Sequence, residues 1–390
     1  MKNTKRIIAA VLAILMCLSS MVALSACRVK DETILTFKSG DQTYDIKAGI
    51  YLCNLLSAYN QFRTEYGTAV EKASSTTAAD VDYEKQTLEN KDYTTWIKDK
   101  TYELCAQYAY TEMEFERLGL EITSEQNDTV ENYASANWAT GYGSIYTENG
   151  VSYNTYRQFF LNQQFKFGMI YNYYYGEFTA DEKKADKNKG SLRPADSEIK
   201  TELKKNYVIA DTISESLTKK EDNSSNVISL TDDEKKAAKA KLLKYADRIN
   251  NGESFSKIYI EHNGSDKQAD TSSTSQPKDK YATVYGGPNT SNNSSYFEDV
   301  NKQTVGKAVV LEFSDCYMLV VKQDILKDSY YFDSYKTAVV QIMKFDGFES
   351  DFDAKAAKLE ATVKNTDAIN YYKPQRVKLE TATAAATTAA

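Results

Sequence analysis

The chain has 390 residues, with 48 basic against 55 acidic side chains, a net charge of −7 and a single histidine. No basic stripe is present to neutralise phosphates, which argues against nucleic acid as a partner. The five cysteines have no metal-ligand spacing, so the sequence gives no metal site, and it carries no cofactor motif.

The N-terminus must be set aside before fold reasoning. MKNTKR supplies three positive charges, and IIAAVLAILMCL is an apolar run too short for a membrane span. This is the layout of a secretory signal. Its end, Leu24-Ser25-Ala26-Cys27, resembles a bacterial lipobox. The resemblance implies cleavage before Cys27, acylation of that cysteine, and a mature chain tethered by lipid to the extracytoplasmic face of a membrane. Losing Lys2, Lys5 and Arg6 takes the net charge from −7 to −10. Cys53, Cys105 and Cys316 then remain. A Cys53–Cys105 bridge or two buried thiols both fit.

Residues 34–46 hold two alternating apolar runs around Ser39-Gly40-Asp41, a hairpin signal. A helical pattern starts near Ala48 and includes Tyr51, Leu55, Leu56, Tyr59 and Phe62. Residues 67–90 are polar and rich in Ala, Ser and Thr, and read as a loop. A second helix covers about 93–118 and stops at Gly119; Thr123-x-x-Gln126 resembles a capping box opening a third. Residues 152–175 form an aromatic helix, with Phe160, Phe167, Ile170 and Tyr174 on one side. Burial among helices or a client-binding face both suit it. The thirty tyrosines fit a loosely binding surface, or an AT-rich codon bias.

Thr179-x-x-Glu182 begins a short charged stretch, and Pro194 leads a helix ending near Asn206. YVIADTISESL is a strand, KKEDNSSN a loop, and Thr231-Asp-Asp-Glu234 a capping box for a helix ended by Asn251-Gly252. A shorter helix follows with Phe255 and Ile258, and most of 264–295 reads as loop. Lys307–Lys322 reads as two strands joined at Ser314-Asp315. A last helical region covers about 333–363 with a bend at Gly347. The tail 380–390 is low-complexity, so disorder is expected there.

The fold class is therefore α+β. Both chain ends, 27–206 and 326–379, make a mainly helical lobe, and 207–325 is an inserted small α/β domain. This order resembles the extracytoplasmic foldases of the PrsA and SurA type, which place a parvulin-type prolyl isomerase domain inside a helical chaperone lobe. Asn251-Gly-Glu-Ser-Phe255 after a helix, Tyr296-Phe297-Glu298, Val305-Gly306-Lys307 and Cys316–Val321 carry the resemblance. It departs at the two histidines that organise a parvulin site. The first strand reads Ala210-Asp211-Thr212-Ile213, and Met318 stands where the second histidine would be. The lone His262 matches neither position. It reads as an exposed or helix-terminal bystander.

The resemblance implies a membrane-anchored chaperone that holds unfolded or newly exported polypeptides in an aromatic-rich cradle between the lobes. Prolyl isomerisation needs no nucleophile, only a pocket that favours the twisted amide over a barrier of roughly 18–20 kcal/mol. An isomerase with an altered site is thus the second expectation. Its pocket candidates are Phe297, Met318, Tyr317 and Tyr285, with Asp211 as a polar partner. An export-side scaffold or solute-binding lipoprotein is the third, without the repeated strand–helix alternation a solute-binding fold needs.

Overall fold

The computed structural model describes residues 31–73, 82–221, 226–268, 276–290 and 295–378. The signal segment 1–26, Cys27 and the tail 380–390 lie outside the described residues. No helix among those described is long and apolar enough to cross a membrane.

The main elements in chain order are β1 (Thr33–Ser39), β2 (Gln42–Lys47), α1 (Ala48–Ala73), α2 (Tyr93–Arg117), α3 (Ser124–Asn137), α4 (Tyr153–Phe160) and α5 (Phe167–Tyr175). They are followed by α6 (Asp196–Asn206), β3 (Tyr207–Ser216), α7 (Asp232–Asn250), α8 (Phe255–Asn263), β4 (Ala282–Gly286) and α9 (Phe297–Asn301). The chain continues with β5 (Ala308–Glu312), β6 (Cys316–Gln323), α10 (Ser329–Ala356), β7 (Glu360–Val363) and α11 (Thr366–Tyr371). The fold is α+β.

Two compact units form. The terminal unit takes the described residues up to Tyr173 and those from Gly347 onward; the inserted unit is Tyr174–Asp346. The inserted unit is longer at both ends than 207–325. The reason is apolar burial: Ile199 and Leu203 of α6 and Tyr331, Val339 and Val340 of α10 share one cluster with Tyr207 and Ile209 of β3.

In the terminal unit, β1 pairs antiparallel with β2 (Phe37↔Tyr44) and with β7 (Leu35↔Val363). The inward faces of β1 and β2 place Ile34, Leu35, Phe37 and Ile46 against Cys105, Tyr108 and Ala109 of α2. A second cluster joins Phe62, Tyr93, Trp96 and Ile97 to Val151 and Tyr156. Each fully buried large side chain contributes roughly 1.5–3 kcal/mol of transfer free energy. These faces therefore outweigh the many polar residues around them. Asp92 caps α2 by accepting from the Thr95 amide at 3.1 Å. Before it, Glu89 and Asn90 turn the chain at φ 52° and 62°, joining Thr87–Leu88 to Lys91–Asp92 as a small hairpin. The loop expected over 67–90 is thus shorter than read, since α1 runs on to Ala73 and the hairpin occupies 87–92.

In the inserted unit, four antiparallel strands lie in the order β4-β3-β6-β5. Alternation sends Val208, Ala210, Met318 and Val320 to a face covered by Phe297 and Val300 of α9. It sends Ile213, Leu319 and Val321 to the face covered by Leu242, Tyr245 and Ile258 of α7 and α8. The Thr231 capping box forms as read, with Glu234 reaching back to the Thr231 amide at 2.8 Å. The loop expected over KKEDNSSN is shorter than read, because Lys219 and Lys220 belong to a short strand, Thr218–Lys220, paired with Val227–Ser229. Gly347 does not interrupt the helix: α10 runs unbroken from Ser329 to Ala356. One glycine in a helix costs about 1 kcal/mol. Burial of Phe348 and Phe352 just beyond it offsets that.

Candidate functional site

The five residues expected to share a pocket do not all meet. Phe297, Met318 and Tyr285 do, in the cluster on the α9 side of the sheet. The Tyr285 hydroxyl points to Thr212 Oγ1 at 3.4 Å and Met318 Sδ at 3.7 Å. It thus bridges the two strand positions discussed above for their missing histidines. Tyr317 is on the opposite face, packed with the α7–α8 cluster. Asp211 also belongs to that opposite face, by alternation from Ala210.

The Tyr285 face is closed. Phe297, Met318 and Tyr285 are each buried, and Gly287 packs so tightly that a Cβ there would meet the Phe297 ring at 3.0–3.3 Å. Around the rim, Tyr296 stacks obliquely on Phe313 at 4.5 Å and donates to Asp315 Oδ2 at 2.7 Å. The apolar pocket residues are present and buried against one another.

His262 sits in the last turn of α8. Its side chain is only 11% exposed, with Nδ1 3.6 Å from Glu215 Oε1 and the ring edge-on to Tyr245 at 6.0 Å. The expectation of helix-terminal placement holds; that of exposure does not, because α7 and β3 cover it. Burial, with the nearby Lys241 cation, lowers its pKa below the usual imidazole value.

Open concave surface occurs elsewhere. In the terminal unit a groove of about 370 Å³ is lined by Tyr146, Tyr156, Phe159 and Phe160 together with Asn137, Gln163 and Gln164. Two π-helical turns shape it. Trp138–Tyr142 follows Asn137 directly, and Leu161–Lys166 carries both glutamines. Such turns insert a residue into the helical ladder and re-aim the side chains around them. Here Asn162 is turned inward and fully buried, donating to the Tyr108 carbonyl at 3.1 Å and to Glu112 Oε1 at 2.8 Å. The rings form one network: Trp138 to Tyr156 at 5.3 Å, Tyr146 to Tyr156 at 4.8 Å, and Tyr156 to Phe160 at 6.2 Å. Gly143 closes the first turn against Trp138, where a Cβ would meet the Trp138 carbonyl oxygen at 2.5 Å.

The inserted unit has a larger cleft, of about 610 Å³, lined by Tyr207, Ile342 and Phe345 with Asn289, Thr290, Gln341 and Asp346. Both surfaces combine apolar rings with side-chain amides. The sequence marked 152–175 as aromatic but gave no sign of the π turns that open the groove. The second, Leu161–Lys166, changes the helical register without any glycine or proline.

Among the described residues no group of three or more His, Cys, Asp or Glu side chains is arranged to hold a metal. Cys53 and Cys105 are buried free thiols, and burial pushes both far above the ordinary thiol range.

No family model and no curated protein matches the sequence. Among solved structures the chain is similar to the foldase protein PrsA from Lactococcus lactis, with 14% identity over 87% of this chain and 99% of that one and a TM-score of 0.32. A TM-score this low leaves function to be argued from the chain's own surfaces.

Proposed function

We propose that this chain is a lipid-anchored extracytoplasmic chaperone that binds unfolded, newly exported polypeptides, with a parvulin-like inserted unit that does not turn over prolyl bonds. The observation that carries the proposal is the groove of Tyr146, Tyr156, Phe159 and Phe160 bordered by Asn137, Gln163 and Gln164. Rings take apolar side chains of any shape, and amides both donate to and accept from a peptide backbone. That pairing favours extended chain over a defined small molecule. The signal ending at Cys27 supports delivery to the outer face of the membrane, where exported chains emerge.

An altered isomerase is the second reading, favoured by the meeting of Phe297, Met318 and Tyr285 on one sheet face. It requires α9 to move, because that face is closed as it stands.

The test is binding of a fluorescent, permanently unfolded client to the mature chain from Arg28 onward. Saturable binding is expected. The double variant Phe159→Ala with Phe160→Ala should weaken it about tenfold or more, which corresponds to ~1.4 kcal/mol. Both rings are only partly buried, so the fold should survive. Unchanged affinity in a folded double variant would remove the groove from the account.

A further inference from the structure

Asp211 is a buried carboxylate with an incomplete set of partners. It is 3% exposed and accepts from Gln323 Nε2 at 2.7 Å through Oδ2, while Oδ1 is buried with no donor. The carboxyl group beside it is Asp279, within hydrogen-bonding reach. Two carboxylates cannot satisfy one another, since both only accept; one proton between them satisfies both.

Asp279 belongs to the segment 276–281, which leads straight into the edge strand β4. Other ties of that segment lie toward its end, where the Tyr281 ring packs on Phe255 at 5.6 Å and on Tyr259 at 5.2 Å. Lys278 N donates to Asp328 Oδ2 at 2.7 Å, Lys267 Nζ reaches the Tyr281 carbonyl at 3.4 Å, and Lys280 pairs with Asp266 at 2.6 Å. Tyr281 also donates its hydroxyl to Asp266.

We propose that Asp211, when protonated, donates to Asp279 and forms a latch that holds 276–281 and the edge strand β4 against the sheet, closed while Asp211 keeps its proton and released when it ionises. Gln323 of β6 and Lys267 of the segment after α8 face Asp211, and the buried Tyr331 of α10 lies near both carboxyl groups. Asp328, just before α10 and near Tyr331, is held ionised by the amides of Lys278 and Tyr330. Burial first, then the Asp279 charge, raises the Asp211 pKa from 3.8 to about 7, with Gln323 and Lys267 opposing. Release therefore falls in the window around neutral pH. It frees the outer strand of a sheet, whose exposed amides and carbonyls can pair with another extended chain. This inference stands whether or not the aromatic groove binds clients.

The experiment is hydrogen exchange of amides 278–286 in the full mature chain from pH 5 to 8.5, corrected for the intrinsic pH dependence of exchange. Wild-type protection should fall at least tenfold as pH rises through about 7. Asp211→Asn, which keeps a donor facing Asp279, should hold protection constant across that range. Lys267→Met removes the cation that favours the ionised carboxylate, so the neutral form persists further and the release midpoint should move to higher pH. Should Asp211→Asn fail to fold, Asp279→Asn supplies the same comparison. Flat wild-type protection, or an unchanged pH dependence in either asparagine variant, overturns the latch.

Discussion

Three side chains show how burial sets chemistry residue by residue. Phe297, the expected pocket wall, is a core residue, 4% exposed, at the start of α9. Phe297→Ala should cost about 3–5 kcal/mol, the usual loss for emptying a buried aromatic site; urea unfolding measures it. A loss under about 1 kcal/mol would mean that the face is open in solution. His262 and Asp211 titrate with opposite consequences. The His262 pKa is lowered on folding, so the unfolded chain binds its proton more readily and stability falls as pH drops below the ordinary imidazole value near 6.5. The Asp211 pKa is raised from 3.8 to about 7, so the folded chain binds the extra proton and stability falls as pH rises from about 4 through 7. The two effects therefore oppose one another in the mildly acidic range. His262→Gln should remove the acid-side loss, and Asp211→Asn the loss toward neutral pH. Identical curves for wild type and both variants would contradict these assignments.

At the scale of elements, local chemistry decided what could be read. The capping boxes at Thr123 and Thr231 each form where the spacing placed them, and a third forms at Thr179, because a Thr followed by Gln or Glu three residues on satisfies two amides at once. Thr231→Ala should cost about 1 kcal/mol, seen as a lowered unfolding midpoint; no change would show that Glu234 alone suffices. The strands β4 and β7 were missed. Glu360–Val363 is exposed along its whole length, and Ala282–Gly286 sits in a polar stretch. Neither has the alternation that marks a half-buried strand, and their partners β1 and β3 are far away in sequence. The π turns were also invisible, and with them the groove. Gly143 is the position that shows their importance. Gly143→Ala must displace Trp138, since the added Cβ meets the carbonyl oxygen at 2.5 Å. Client affinity should drop together with a change in Trp fluorescence. Wild-type affinity in this variant would mean that the first π turn does not shape the binding surface.

At the scale of the whole molecule, the sequence pattern indicated a middle segment folding apart from both chain ends, and the compact units divide at Tyr173/Tyr174 and Asp346/Gly347. The division lies outside 207–325 because α6 and the first part of α10 bury their apolar faces with the sheet. A periodic sequence shows that a helix has such a face but not which sheet receives it. The proposed function turns on whether the chain holds clients or catalyses their folding. That choice is settled by the refolding kinetics of a proline-limited client with the mature chain titrated in. A holding chaperone slows refolding only near one-to-one amounts and leaves the slow-phase rate constant unchanged below that. Acceleration of the slow phase at substoichiometric amounts would contradict this, and would mean that the closed Phe297–Met318–Tyr285 face opens and turns over.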